Sequence, residues 1–424
     1  MNHNDSLRAG SPNLAGIRPF PQRIQESPEP PRKLPKVGTT PLSNVKTAWI
    51  ALSWLLAALL ATVFLSPLQR ISPPDFPSYY FAGRMVVTGE LSELYKKEAY
   101  ERRWAEVLAQ GQQIVPYPNF FIRPAFAAYL CAPLGLLSYQ TAWLFALILN
   151  FAALGVLTWK FPVWFGGCEL SSWYPWLAVF MPFLWSIGYG QDTIVLTLLV
   201  GYCLHLTTKQ KDVAAGMILG VCTVKPHLIW ALPVVLLVGR RYKCVAAFLA
   251  TALVLAAVSV AAVGVDGTAD WVHLILDEQT DFVPHSMFNI RALWVRLGSI
   301  AGAAATLVVL VAFAVILWLG SFRQQASAAI LASLLLSPHT YNQDASLAAL
   351  LPFLNPTAAV RYAVFLPWPY FDPAKDPRNL IMVALSLLYL AVVSLRLLRS
   401  CRSQRPCPIG LAAGDVDDST AVRN

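Results

Sequence analysis

The chain has 424 residues, of which 56% are hydrophobic and only 13% charged, with a formal net charge of +9. A water-soluble protein of this length needs far more polar skin, so the composition excludes an ordinary soluble globule. The basic excess collects at the ends of apolar runs rather than along an aromatic-interleaved stripe, which excludes a nucleic-acid partner.

Residues 1–45 are rich in Pro, Ser and Arg without apolar period and read as a disordered tail. Arg8, Arg18, Arg23, Arg32, Lys33, Lys36 and Lys46 favour a cytoplasmic side for it. The first apolar run, Ala48 to Leu65, lacks a small-residue cleavage site after it and reads as an uncleaved membrane helix. The following interval, 67–123, is the longest polar stretch between apolar runs and is expected outside. Within it Tyr100, Trp104, Val107 and Leu108 fall on one helical face, opposite Glu101, Arg102, Arg103 and Glu106. That pattern predicts a helix lying in the membrane interface. A second interfacial helix is expected from Phe76 to Val87.

Further apolar segments are read near 124–138, 140–158, 173–188, 191–207, 213–224, 227–239, 243–263, 299–319, 324–337, 344–366 and 379–398. A span of about 20 residues crosses a hydrocarbon core of about 30 Å, and none of these runs shows barrel-strand alternation. The expected fold is therefore an all-α polytopic transmembrane bundle of about 10–12 helices. Several segments are too short for a full span and should be either half-helices buried in protein or hairpins paired at a cavity. Residues 399–424, opening with Arg399, Arg402 and Arg405, read as a second cytoplasmic tail, which leaves 46–398 as the membrane domain.

Basic clusters at Lys209–Lys211, Arg240–Lys243 and Arg323 mark cytoplasmic turns. Counted from them, Gly190-Gln191-Asp192, Lys225-Pro226-His227, His285 to Asn289 and Ser337 to Asp344 all reach the opposite face. Asp75, in Pro73-Pro74-Asp75-Phe76-Pro77, opens the outer loop on a proline-stiffened backbone. Its carboxylate is either a general base for a hydroxyl or the N-cap of a helix from Phe76. Gln191 or Asp192 either faces a cavity or caps the helix from Thr193. Lys225 and His227 stand at a proline break suited to a phosphate, unless Lys225 merely snorkels. Ser337 to Asp344, with His339, Tyr341 and Asp344, is the densest polar cluster between apolar segments; its alternative is a plain loop. Arg123, before Pro124, and Arg291 could each meet a phosphate or anchor lipid headgroups. The seven cysteines are scattered, with no Cys-x-x-Cys or His-Glu-x-x-His motif, so no metal site and no cofactor is expected. Asp415-Val416-Asp417 has a metal-enzyme spacing but lies in the tail.

Taken together, residues 46–398 resemble the polyprenyl-phosphate-sugar-dependent mannosyltransferases of glycosyltransferase family 87, in the membrane-embedded GT-C superfamily. The resemblance rests on Asp75 with Tyr79-Tyr80-Phe81-Ala82-Gly83, Gly89 to Leu94-Tyr95, Tyr117-Pro118, Pro124-Ala125 and Ala132-Pro133-Leu134. It continues through Asn150, Gly190-Gln191, Lys225-Pro226 and Ser337-Pro338-His339. The chain departs from the family pattern at Asn119 to Arg123 and at Asp192. The resemblance implies a GT-C-like fold and an inverting transfer, with a β-linked lipid-phosphate mannose giving an α-glycoside. Asp75 would be the catalytic base. Lys225, His227, His339 and Arg291 would bind the donor phosphate. Tyr79, Gln191, Asp192, Asn289, Tyr341 and Asp344 would contact sugar or acceptor. The implied partners are a polyprenyl-phosphate sugar, a lipid or glycan acceptor and membrane lipids, in a bacterial plasma membrane with the site extracytoplasmic. A transporter or flippase is the competing reading; no internal repeat supports it.

Overall fold

The computed structural model describes residues 74–111, 120–165, 180–281, 287–354 and 378–403. The expectations for 1–45, for the apolar run at 48–65, for His285 and Ser286, and for 404–424 fall outside these residues. All described residues belong to one compact unit, which is a helical membrane protein without strands among them.

In chain order the helices are α1 (Phe76–Thr88), α2 (Lys97–Ala109), α3 (Phe126–Gly135), α4 (Tyr139–Phe165), α5 (Met181–Tyr189), α6 (Thr193–Thr208) and α7 (Asp212–Val221). They continue as α8 (Ala231–Val238), α9 (Tyr242–Asp281), α10 (Ile290–Leu297), α11 (Ser299–Leu319), α12 (Phe322–Leu336), α13 (Leu351–Leu354) and α14 (Arg378–Ser403). Among the described residues four are long and apolar enough to cross a membrane: α4, the Tyr242–Leu276 part of α9, α11 and the Val383–Cys401 part of α14. They carry Leu144, Ile148, Leu253, Val254, Leu307 and Trp318 exposed. Water would not tolerate so much contiguous apolar surface, whereas lipid tails do.

The shorter helices are the half-length pieces expected of the short segments. The segment expected at 227–239 is a 3₁₀ turn, Pro226–Leu228, followed by the eight-residue α8. Where a helix from 344 was expected, Asp344–Leu350 is a 3₁₀ turn leading into α13. The span expected at 243–263 runs on as α9, but its backbone breaks at Gly264, with φ 76° and ψ 179°. Only glycine adopts that conformation without large strain. At the other end of the chain α14 continues to Ser403, past the expected tail boundary at 399. Arg396, Arg399 and Arg402 suit a helix C-terminus, where cations meet the negative end of the dipole.

Both helices expected at the interface form, and they pack against each other. In α1, nine residues including Phe76, Tyr79, Tyr80, Phe81 and Met85 are buried, covering both sides of the helix. In α2, Tyr100, Trp104 and Val107 are buried while Leu108 is exposed. The rings of Tyr100 and Trp104 meet Phe81 edge-on at 6.2 and 5.9 Å. The amphipathic stripe is real, and α1 covers its Tyr100 and Trp104 while Leu108 stays exposed. Arg103, placed on the polar face, is buried between Glu90 and Glu106.

Two glycine contacts set the helix crossings. α1 crosses α3 where a Cβ on Gly83 would stand 2.2 Å from the Cys131 carbonyl oxygen, and one on Gly135 would stand 2.3 Å from the Gly83 backbone. Similarly Gly216 and Gly220, four apart on α7, lie against Cys244 and Thr251 of α9. This is the small-residue packing by which membrane helices approach without a hydrophobic driving force. Gly83→Val forces backbone against backbone, so we expect a loss of about 3 kcal/mol or more and a collapse of monodisperse protein on size exclusion. Gly155→Val, with nothing near its Cβ position, is the matched control and should leave the profile unchanged.

Helix directions fix where the polar breaks lie. α6 runs from Asp192 to the Lys209–Lys211 turn, α7 returns to Lys225, and α8 runs to the Arg240–Lys243 turn. α12 begins beside Arg323 and ends at Ser337. The basic turns thus occupy the helix ends opposite Asp192, Lys225 and Ser337.

Candidate active site

A cavity of about 520 Å³ opens where these breaks meet. It is lined by Asp75, Tyr79, Arg123, Gln191, Lys225, His227, His339, Tyr341 and Asp344, among others. Its volume falls within the range of about 300–1,000 Å³ common for small-molecule sites.

Asp75 precedes α1, but its side chain makes no capping bond to that helix. The Ser78 N–H and hydroxyl both donate to the Asp75 backbone carbonyl. The carboxylate is turned to the cavity, where Oδ2 accepts from Gln191 Nε2 at 2.5 Å. The helix-cap alternative for Asp75 is thereby removed. The neighbouring chain makes this possible. α5 stops at Gly190 in the left-handed conformation, φ 74°, and a Cβ there would lie 2.6 Å from Phe76 Cβ. The Asp75 N–H donates to the Tyr189 carbonyl at 3.1 Å, joining the two helix ends and presenting Gln191 to Asp75.

Gln191 Oε1 in turn accepts from Lys225 Nζ at 2.7 Å. An ammonium only donates and a carboxylate only accepts, so the amide has a single sensible orientation. Lys225 lies between two 3₁₀ turns, Cys222–Val224 and Pro226–Leu228, with φ −131° and ψ 75°. Pro226 disfavours the helical conformation for the residue before it, which is why the chain breaks there. Lys225 is 4% exposed, which rules out snorkelling. Burial pushes its ammonium below the ordinary lysine value, and the facing carboxylates of Asp344 and Asp192 oppose that shift.

Asp344 braces this lysine. Its Oδ1 accepts from Lys225 at 2.7 Å and its Oδ2 from the Tyr341 N–H at 3.0 Å. Expected among the sugar contacts, it is 3% exposed with both oxygens engaged, so its carboxylate holds Lys225 and the 341 turn in place. Asn289, also expected among the sugar or acceptor contacts, does not line the cavity. It is fully buried, caps α10 through Oδ1, and donates to the Ser337 carbonyl at 3.0 Å. Together with the Phe288 N–H to Thr340 carbonyl bond, it fixes the Ser337–Asp344 loop. Arg291 reaches the Pro338 carbonyl at 3.5 Å and does not line the cavity, so a direct phosphate contact from it is not supported.

His227 and His339 meet edge-to-face at 6.1 Å, and His339 meets Tyr341 at 4.8 Å. Burial pushes the His339 imidazole down to about 4, with Asp344 working against the shift and Lys225 and Arg123 adding to it. Burial thus favours the neutral, hydrogen-bonding imidazole at this position.

Asp192 does not cap α6 with its side chain. Its Oδ1 accepts from Arg123 Nη2 at 2.8 Å and from the Tyr79 hydroxyl at 3.3 Å. Arg123 is 8% exposed and inside the cavity, not at a headgroup. The Tyr79 ring stands 5.1 Å from its guanidinium carbon, and the Tyr79 oxygen accepts from its Nε at 3.1 Å. The apolar wall includes Trp185, Tyr189, Phe121, Trp271 and Ile275, which the sequence does not single out. Trp and Tyr in apolar runs read as interfacial belts, so their inward direction carries no local signal.

The arrangement places the Asp75 carboxylate and two buried basic side chains, Arg123 paired with Asp192 and Lys225 with Asp344, around an aromatic-walled space. That is suited to a displacement in which a hydroxyl loses a proton at one end while an anion departs at the other. The family model described as Glycosyltransferase family 87 matches residues 121–338, just over half the chain. The chain belongs to glycosyltransferase family 87. It is an integral membrane glycosyltransferase, with a sugar donor and an acceptor as substrates. No curated protein and no solved structure matches it. The family 87 match takes in Arg123, Gln191, Asp192, Lys225 and His227 but stops short of Asp75 and Asp344. Geometry, through Gln191 and Lys225, brings those two carboxylates to the site.

Proposed function

We propose that this family 87 protein transfers a sugar, mannose foremost, with inversion from a polyprenyl-phosphate donor to an acceptor hydroxyl on the extracytoplasmic face. The observation that carries the reading is the Asp75–Gln191–Lys225 bridge, which sets a carboxylate and an ammonium one amide's width apart in a single cavity. Asp75 takes the acceptor's hydroxyl proton as its oxygen bonds to the anomeric carbon. The bond from that carbon to the phosphate oxygen breaks, and the electron pair leaves with the polyprenyl phosphate. Charge thus grows on the phosphate, where Lys225 and Arg123 are already oriented. His227 and His339 donate hydrogen bonds from the same side, and Tyr79, Gln191 and Tyr341 stand within reach of sugar hydroxyls. The basic turns at the opposite helix ends favour a cytoplasmic position for themselves and hence the outer face for the cavity.

The test is transfer of radiolabelled mannose into a membrane lipid extract by protein in nanodiscs, with chelator present. Transfer is expected from polyprenyl-phosphate mannose and not from a nucleotide-linked mannose. Transfer from the nucleotide sugar alone would overturn the donor assignment; preference for another polyprenyl-phosphate sugar would overturn mannose only.

A further inference from the structure

Arg123 and Lys225 share one carboxylate oxygen. Asp192 Oδ1 lies 2.8 Å from Arg123 Nη2 and 3.9 Å from Lys225 Nζ. The two cations also have other partners, of which the Tyr79 hydroxyl itself donates to Asp192 Oδ1 at 3.3 Å. Tyr79 supports the guanidinium, and the Tyr95 hydroxyl donates to the Arg123 carbonyl at 2.7 Å. Lys225 keeps Asp344 and Gln191. The Arg123 and Lys225 side chains are 9% and 6% exposed, against 32% for Asp192. Asp192 therefore is the accessible member of the trio. Its side chain caps no helix, and its Oδ1 lies within 4 Å of both cations although Asp192 does not itself line the cavity. Arg123 Nη1, meanwhile, has only a long 3.5 Å bond to the Val224 carbonyl among the described residues.

The charge count points the same way. Asp75 and Asp344 line the cavity and Asp192 pairs with its Arg123, so three carboxylates accompany two basic side chains, Arg123 and Lys225. An incoming phosphate adds another negative charge beside buried groups, where screening by water is weak.

We propose that Arg123 and Lys225 form a two-cation seat for the donor phosphate, and that Asp192 is its internal counter-ion, yielding the seat when the phosphate arrives. Asp192 keeps the buried guanidinium paired until the substrate binds, since an unpaired buried charge is strongly destabilising. It then competes with the substrate and, after transfer, helps return the phosphate product to the membrane. The inference rests on the transferase reading, and it makes Arg123 a phosphate-binding residue and Asp192 an affinity-limiting one.

The experiment reads equilibrium binding of radiolabelled polyprenyl phosphate, the expected product, to nanodisc-embedded protein, so it does not depend on turnover. Asp192→Asn retains an oxygen for Arg123 but not the charge, and should bind about tenfold tighter than wild type. Arg123→Gln should bind about tenfold weaker. If Asp192→Asn elutes poorly on size exclusion, Asp192→Ser carries the same comparison. Wild-type binding with no tightening in a folded Asp192 variant overturns the counter-ion role and leaves the transferase reading untouched. No wild-type binding overturns both. Displacement by equimolar inorganic phosphate, or by phosphatidylglycerol in the nanodisc, would assign the seat to a free anion or a bulk headgroup and overturn its assignment to the donor.

Discussion

Asp75→Asn lowers sugar transfer by about 10²–10⁴-fold while leaving the protein folded, the range expected for removing a general base. The exchange is nearly isosteric, and the Asp75 side chain performs no helix-capping duty that an amide would lose. Gln191 cannot turn over to accommodate it, because its oxygen is required by Lys225 at 2.7 Å. The substituted amide therefore presents its own oxygen to Gln191 Nε2 and keeps the local geometry. What disappears is the capacity to accept a proton. Melting in detergent should shift by no more than a few degrees, and the backbone bond from position 75 to the Tyr189 carbonyl persists. Undiminished transfer in the folded variant would move the base elsewhere. Asp192 is then the remaining choice, since Asp344 is enclosed with both oxygens engaged.

Segment-level features were legible because hydropathy is a local property. The span read at 299–319 is α11 to the residue, and the breaks at Gln191, Lys225 and Ser337 are all ends of helices. Proline and glycine carried that signal, through Pro226 and Gly190. What the sequence could not show is which broken ends meet. Arg123 and Asp192 are 69 positions apart, and each reads alone as an isolated departure from the family pattern; in space they are one ion pair. A cation gained at one site and a carboxylate at another read as two faults until the distance between them is 2.8 Å. The stripe on α2 makes the same point: it specifies that something apolar covers it, and the sequence does not say that α1 supplies part of that cover. The glycines of α7 belong to the same class, since their contacts on α9 are with backbone and Thr251. Only the partner's position gives Gly216 and Gly220 a meaning.

Lys225→Met should separate the two duties of the lysine. Alone, it leaves the Asp344 carboxylate enclosed, with Oδ2 still held by the Tyr341 N–H at 3.0 Å but Oδ1 deprived of its ammonium. Breaking a buried pair from one side costs about 3–5 kcal/mol, so the single variant should melt well below wild type in detergent. The double variant Lys225→Met/Asp344→Asn removes the stranded charge while an amide oxygen still accepts from Tyr341. Most of the lost stability should return, because replacing both members of a buried pair by neutral groups is often close to neutral overall. Transfer should not return with it. The ammonium faces the growing charge of the departing phosphate, and loss of one such donor costs about 10²–10³-fold. Stability recovered without activity would identify Lys225 as a group that acts on the substrate. Stability and activity recovered together would make the pair a structural clasp, with Arg123 left as the one permanent cation among the described residues lining the cavity.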